Sequence, residues 1–199
     1  LYVSPGPEIL SLDDPYDPVQ NLPYRLHDAL LFEGKYYNPW GPAPALLLMP
    51  VRLFTDRPIH DNVLTYLFCL GIVLSSLWLL LQVHRRLYAD RSLTVLSCGV
   101  LCLGLSYPMT WLLARAAVYE ASIAAGQCFF MLGIGCLFRA FSAAPIRVGW
   151  VTAGGAALAA CLASRISLLP AVGTIVLLSC WHVVRYASRM RIGLLLGLT

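Results

Sequence analysis

The folding of this chain is constrained most by a series of apolar runs, the complete ones each roughly 17–22 residues long, because an α-helix needs about 20 residues to cross the ~30 Å hydrocarbon core of a bilayer. The mean hydropathy is +0.72 and 12% of residues are charged, compared with about 25% in soluble domains. The sequence therefore predicts an all-α fold, a polytopic bundle of transmembrane helices over residues 62–199. The predicted spans, the last of them truncated, are residues 62–83, 93–114, 121–141, 148–164, 166–184 and 192–199.

Arginines between the apolar runs predict how the bundle is oriented. Residues 62–199 contain ten Arg, no Lys and two acids, so their formal charge is 10 − 2 = +8. Most of these arginines lie in residues 84–92, in residues 185–191 and on either side of the turn between Arg139 and Arg147. Since arginine-rich loops remain cytoplasmic, residues 1–61 are predicted to lie on the outer face. Charge placed in this way indicates membrane lipids as partners and argues against nucleic acid.

The first 61 residues have a different composition. They hold eight of the ten acids and four Lys or Arg, a formal charge of 4 − 8 = −4, together with ten of the thirteen prolines. This predicts an irregular, Pro-rich and aromatic-rich extracytoplasmic segment, with one helix over residues 24–33 that ends at Gly34. A second helix over residues 43–54 is too short to span and is expected to lie in the membrane interface.

Carboxylates beside aromatic rings in this segment are the candidate catalytic residues. Asp14, Asp17 and Asp28 could each act as the base that activates an acceptor hydroxyl. The alternative for Asp14 and Asp17 is turn formation ahead of proline, and for Asp28 an ion pair with Arg25 or Lys35. A sugar or acceptor pocket is predicted from five residues: Tyr24, Tyr36, Tyr37, Trp40 and Glu120.

Two arginines are predicted on the outer side, against the general charge bias. Arg115 lies at a helix end and Arg165 within an almost uninterrupted apolar stretch. Ionisable residues at membrane depth indicate function, and a guanidinium at the outer interface suits the phosphate of a lipid carrier. The alternative is a structural ion pair between Arg115 and Glu120.

The remaining residues give weaker signals. No pair of cysteines has the CxxC spacing and the four histidines have no metal-site spacing, so no cofactor is predicted with certainty and a divalent metal is optional. The seven cysteines lie in apolar runs, where they are expected as small buried groups. Gly155 and Ala159, four residues apart, are expected to allow close helix packing.

Several segments of the sequence resemble those of the GT-C superfamily of polytopic glycosyltransferases, in particular poorly characterised bacterial proteins similar to protein mannosyltransferases. The segments are PGPEILSLDDPYDP, YRLHDALLFEGKYYNPWGPAPALLLMP, RAAVYEASIA and ASRISLLPA. The resemblance implies a bacterial plasma-membrane enzyme that transfers sugar from a polyprenyl-phosphate-linked donor to an acceptor on the extracytoplasmic face. It also implies a main catalytic Asp after a first transmembrane helix. We therefore expect this chain to be an internal fragment, with that Asp upstream of Leu1.

Two other classes of function stay open. A non-catalytic transporter or envelope-assembly component would use intramembrane charge to line a path, although residues 62–199 hold only Asp90 and Glu120 as acids. A scaffold that retains the fold without activity is the third hypothesis.

Overall fold

The computed structural model describes residues 2–3, 6–24, 29–37, 40–54, 59–89, 93–105, 107–114, 116–142 and 145–195. The chain is mostly helical, with a small sheet near its beginning. The strands are β1 (Tyr2–Val3), β2 (Leu30–Phe32) and β3 (Lys35–Tyr37). The helices are α1 (Pro7–Leu10), α2 (Ala43–Arg52), α3 (Asp61–Leu87), α4 (Leu93–Gly104), α5 (Tyr107–Ala114), α6 (Val118–Phe141), α7 (Val148–Ser164) and α8 (Leu169–Leu195), and a 3-10 turn, Ile166–Leu168, lies between the last two.

The three strands form an antiparallel sheet in the order β1-β3-β2. Glu33 and Gly34 both have positive φ angles, 48° and 68°, as in the two-residue hairpin loops that match the twist of antiparallel strands. The predicted helix over residues 24–33 is therefore wrong at residues 30–33, and residues 25–28 lie outside the described part of the chain. Gly34 ends no helix; it supplies the second left-handed residue of the hairpin. The all-α prediction omits this sheet.

Three stretches are long and apolar enough, by length and composition, to cross a membrane: Asp61–Leu87, Val118–Phe141 and Ile166–Tyr186. Helices α4 and α7 are apolar but shorter. The predicted span over residues 93–114 is divided into α4 and α5, and Pro108, which has no backbone N–H, lies in the first turn of α5.

Helix α8 continues through residues 185–191, so the predicted loop there is wrong and no separate span begins at residue 192. This segment has neither Gly nor Pro, and its Arg, Met and Ala residues favour a helix. Arginine content alone could not distinguish a helical segment from a loop here.

Helix α6 lies between α3 and α7. Its small residues Ala121, Ala124 and Ala125 pack against the Leu64, Phe68 and Ile72 face of α3. Toward its other end it packs against α7.

The close approach of α6 to α7 uses Gly133 and Gly154. A Cβ on Gly133 would lie 3.3 Å from the carbonyl oxygen of Gly154, and a Cβ on Gly154 would lie 3.2 Å from that of Gly133. Gly155, predicted for this role with Ala159, has open space where its Cβ would be, and Ala159 is exposed. The α6–α7 contact therefore uses the glycine one position earlier.

Contacts between helices define two ends of the bundle. Gln82 of α3 donates to the carbonyl of Gly135 (3.4 Å) and Arg86 donates to that of Ser142, so α3 and α6 run parallel. Ser122 of α6 donates to the carbonyl of Ser164 (3.3 Å), so α7 returns antiparallel. We call the end with Ser122 and Ser164 the Trp40 end, and the end with Arg86 and Ser142 the Arg86 end.

Candidate functional site

Arg165 lies at the Trp40 end, where the chain passes from α7 into the 3-10 turn. Its backbone is extended (φ −155°, ψ 105°), while its N–H still donates to the carbonyl of Cys161 (2.9 Å) and its own carbonyl accepts from Leu168 (3.2 Å). One residue therefore interrupts the helix between two hydrogen-bonded turns.

Two aromatic rings hold the Arg165 guanidinium. Its carbon lies 4.6 Å from the ring centroid of Tyr119 and 5.5 Å from that of Trp40, both within the roughly 6 Å over which a cation is attracted to a ring face. The two rings meet edge to face at 4.9 Å. Nη2 of Arg165 donates to the Tyr119 hydroxyl (3.0 Å), and Nε donates to Oγ of Ser167 (3.3 Å).

The third guanidinium nitrogen differs from the other two. Nη1 of Arg165 is buried and has no hydrogen-bond partner among the described residues. A buried donor left without an acceptor costs about 1–3 kcal/mol, and more when it is charged. An acceptor that reached this nitrogen, such as an oxygen of an anion, would recover that free energy.

A cleft of about 260 Å³ adjoins the guanidinium. One wall is the loop before α2, with Trp40, Gly41 and Pro42, and the other is formed by residues 162–167. Gly41 fits directly against the end of α7, because a Cβ there would lie 1.9 Å from the carbonyl oxygen of Ala163. Glycine at this position allows the loop to bring Trp40 to Arg165.

Glu120, which follows Tyr119 in the sequence, is a buried carboxylate. It is 3% exposed and lies in the first turn of α6 beside Tyr119, where the helix dipole favours negative charge. Arg115, predicted as a phosphate ligand or as the partner of Glu120, lies outside the described residues.

The predicted catalytic aspartates have turn-forming roles. Asp14 Oδ1 accepts from the N–H of Tyr16 and Asp17 Oδ1 from that of Val19, each at 2.9 Å, as in Asx turns. Neither contacts Arg165 nor is among the described residues that line its cleft. Asp28 lies outside the described part of the chain.

Of the four aromatic residues predicted for a sugar pocket, the structure brings Trp40 to Arg165. Tyr36 and Tyr37 belong to β3, and the Tyr36 hydroxyl donates to the carbonyl of Tyr24 (3.5 Å). None of these three tyrosines is among the described residues of the cleft. The ring that the sequence analysis missed is Tyr119, although it directly precedes Glu120 in the segment RAAVYEASIA.

In the described part of the chain, no three His, Cys, Asp or Glu side chains are arranged so that they could bind a metal ion.

Comparison of the chain with protein-family models, with curated proteins and with solved structures finds no match. Three helical stretches of spanning length and composition are consistent with a helical membrane protein. Its candidate site is a guanidinium held between two aromatic rings at one end of the bundle.

Proposed function

We propose that this chain forms part of a membrane glycosyltransferase that takes its sugar from a polyprenyl-phosphate-linked donor, with the donor's phosphate bound at Arg165. The observation that carries the proposal is the environment of Arg165. Its guanidinium contacts neutral groups among the described residues, one of its nitrogens lacks an acceptor, and a cleft adjoins it. A phosphate is the ligand whose charge and oxygen geometry complement such a fork.

The position of Arg165 suits a donor anchored in lipid. Arg165 follows α7 and precedes the apolar stretch Ile166–Tyr186, which is long enough to span. If that stretch spans a bilayer, the guanidinium would lie at the level where the helix leaves the hydrocarbon. A polyprenyl chain would remain among the helices while its phosphate reached the cleft. Trp40 adds an aromatic face of the kind that packs against sugar rings.

The reaction would be a displacement at the anomeric carbon. An acceptor hydroxyl oxygen forms the new bond to that carbon, the bond from carbon to phosphate oxygen breaks with its electron pair, and the acceptor's proton passes to a carboxylate. Arg165 would stabilise the charge that develops on the departing polyprenyl phosphate. Asp14, Asp17 and Asp28 stay the predicted bases, and Glu120 is a buried carboxylate in the first turn of α6.

The test measures binding of polyprenyl phosphate, and its release from a polyprenyl-phosphate-linked hexose, by the chain purified in lipid nanodiscs. Arg165→Gln removes the charge and most of the hydrogen-bonding fork, and we expect affinity for polyprenyl phosphate to fall about tenfold or more. Arg165→Lys retains the charge without the fork, so its affinity for polyprenyl phosphate should lie between those of the unmodified chain and Arg165→Gln.

Arg185→Gln is the matched control, because Arg185 also lies over an aromatic ring, 4.5 Å from the centroid of Trp181, but outside the cleft. Its variant should bind polyprenyl phosphate as the unmodified chain does. If Arg165→Gln instead lowered the stability of the fold while affinity in the folded fraction stayed unchanged, Arg165 would be a structural clamp and the proposal would be wrong.

A further inference from the structure

The Arg86 end of the bundle contains a second and larger cleft, of about 500 Å³, within the range of about 300–1,000 Å³ typical of ligand sites. Three segments supply its arginines: the end of α3, the end of α6 and the linker between α6 and α7. No carboxylate is among the described residues that line it. Its arginines are Arg85, Arg86, Arg139 and Arg147.

Two of these arginines are held in place by uncharged groups. Arg86 donates to the carbonyl of Ser142, and the guanidinium carbon of Arg139 lies 5.7 Å from the ring centroid of Trp150. Orientation of the helices requires positive charge at this end, but it does not require four arginines from three segments to surround one cleft. Their mutual repulsion would be relieved by a bound anion.

The distance of the cleft from the start of α3 is sufficient to cross a bilayer's hydrocarbon core. Arg85 and Arg86 follow Asp61 by 24 and 25 positions along α3, which is about 36 Å at 1.5 Å per residue. This exceeds the ~30 Å hydrocarbon core, so with the start of α3 at one interface these guanidinium groups reach the opposite headgroup layer.

An apolar groove of about 230 Å³ between α6 and α8 meets the basic cleft at Phe138, which lines both. Its other walls include Ile134, Leu137 and Leu178. A groove of this kind accepts an acyl chain and not a free ion.

We infer that the basic cleft binds the phosphate headgroup of an anionic phospholipid, with an acyl chain of the same molecule in the groove between α6 and α8. Basic pockets between membrane helices commonly take such headgroups. The inference uses residues at the opposite end from Arg165, so it stands or falls independently of the proposed glycosyltransferase function.

The test compares the chain in nanodiscs of phosphatidylcholine alone with nanodiscs that also contain phosphatidylglycerol, with bound lipid counted by native mass spectrometry after release into detergent. We expect retained phosphatidylglycerol and a higher midpoint of thermal unfolding. Arg147→Gln should weaken retention about fivefold, the effect typical of one basic residue near an anionic surface. Arg147 is chosen for substitution because it is exposed and lies in a linker, so replacing its side chain should leave the fold intact.

Two controls make the site falsifiable. Arg185→Gln removes one charge from α8 outside the cleft and should leave retention unchanged; an effect equal to that of Arg147→Gln would mean general surface attraction and would overturn the inference. Soluble glycerol 3-phosphate, which has the headgroup charge without acyl chains, should stabilise the chain far less than phosphatidylglycerol. Equal stabilisation would show a phosphate site and would overturn the assignment of a lipid.

Discussion

The contact of Gly41 with the end of α7 leads to a sharp prediction about the Arg165 cleft. In Gly41→Ala the new Cβ would lie 1.9 Å from the carbonyl oxygen of Ala163, whereas real Cβ contacts essentially never fall below 3.0 Å. The loop must therefore move by about 1.1 Å. Because the opposing atoms belong to the backbone at a helix end, rotamer changes can relieve little of this clash. We expect the free energy of unfolding to fall by an amount near the upper end of the roughly 1–3 kcal/mol typical of overpacking.

The same movement would separate Trp40 from Arg165. Their 5.5 Å distance would increase past the roughly 6 Å limit of a useful cation–π contact if the loop moved directly away. We therefore expect Gly41→Ala to weaken both the fold and binding at the cleft. The assay is chemical unfolding in mixed micelles, followed by binding of polyprenyl phosphate to the folded fraction.

Gly155→Ala is the matched control, because nothing lies within 4 Å of the position of its Cβ and it belongs to α7, the helix that Gly41 contacts. Alanine is favoured over glycine in a helix by roughly 0.5–1 kcal/mol, so this variant should be neutral or slightly stabilised. Equal stability of the two variants would refute the argument that a close backbone contact positions Trp40.

Three further predictions concern the site, the bundle and its orientation. Tyr119→Phe removes the acceptor of Arg165 Nη2 and keeps the ring, so the free energy of unfolding should fall by about 1.5–3 kcal/mol; an unchanged unfolding curve would contradict that hydrogen bond. Gly154→Ala puts a Cβ 2.8 Å from a leucine side-chain carbon and should destabilise by about 1–3 kcal/mol in micelle unfolding. With the seven native cysteines replaced by alanine, impermeant maleimides should label Lys35→Cys from outside and Arg147→Cys from the cytoplasmic side; the reverse pattern would contradict the predicted topology.

Much of the helical framework follows from the sequence, because a run of apolar residues is a local property. The run at residues 148–164 has the same bounds as α7, and the runs at 62–83 and 121–141 lie inside α3 and α6. The hairpin at Glu33–Gly34 was missed because glycine after a polar residue also ends helices. Strand pairing decides between the two: β3 pairs with β2 across the hairpin and also with β1, and the pairing with β1 is not encoded locally.

The candidate site was predicted less completely. Arg165 was predicted because it is an arginine within an apolar stretch, and Trp40 because it lies in an aromatic-rich segment. Their meeting through Tyr119 depends on three segments that are distant in sequence, and on the close approach that Gly41 permits. The direction in which Gly154 faces α6 likewise depends on helix phase, which two adjacent glycines leave ambiguous.

A shortage of acids bears on how the arginines of residues 62–199 are held in place. Residues 62–199 have ten Arg against two acids, so most guanidinium groups there cannot be paired with a carboxylate from the same stretch. The structure places aromatic rings beside three of the described arginines: Trp40 and Tyr119 beside Arg165, Trp150 beside Arg139, and Trp181 beside Arg185.

An aromatic ring beside an arginine affects ligand binding differently from a carboxylate. A ring attracts the cation and excludes water without neutralising its charge. An incoming phosphate at an ion-paired arginine must displace a carboxylate, and breaking a buried pair costs about 3–5 kcal/mol. Among the described residues, a phosphate at Arg165 would displace no carboxylate, and it would accept from a nitrogen that has no other acceptor there. The arrangement therefore holds the arginine in one place while its charge stays available to an anion.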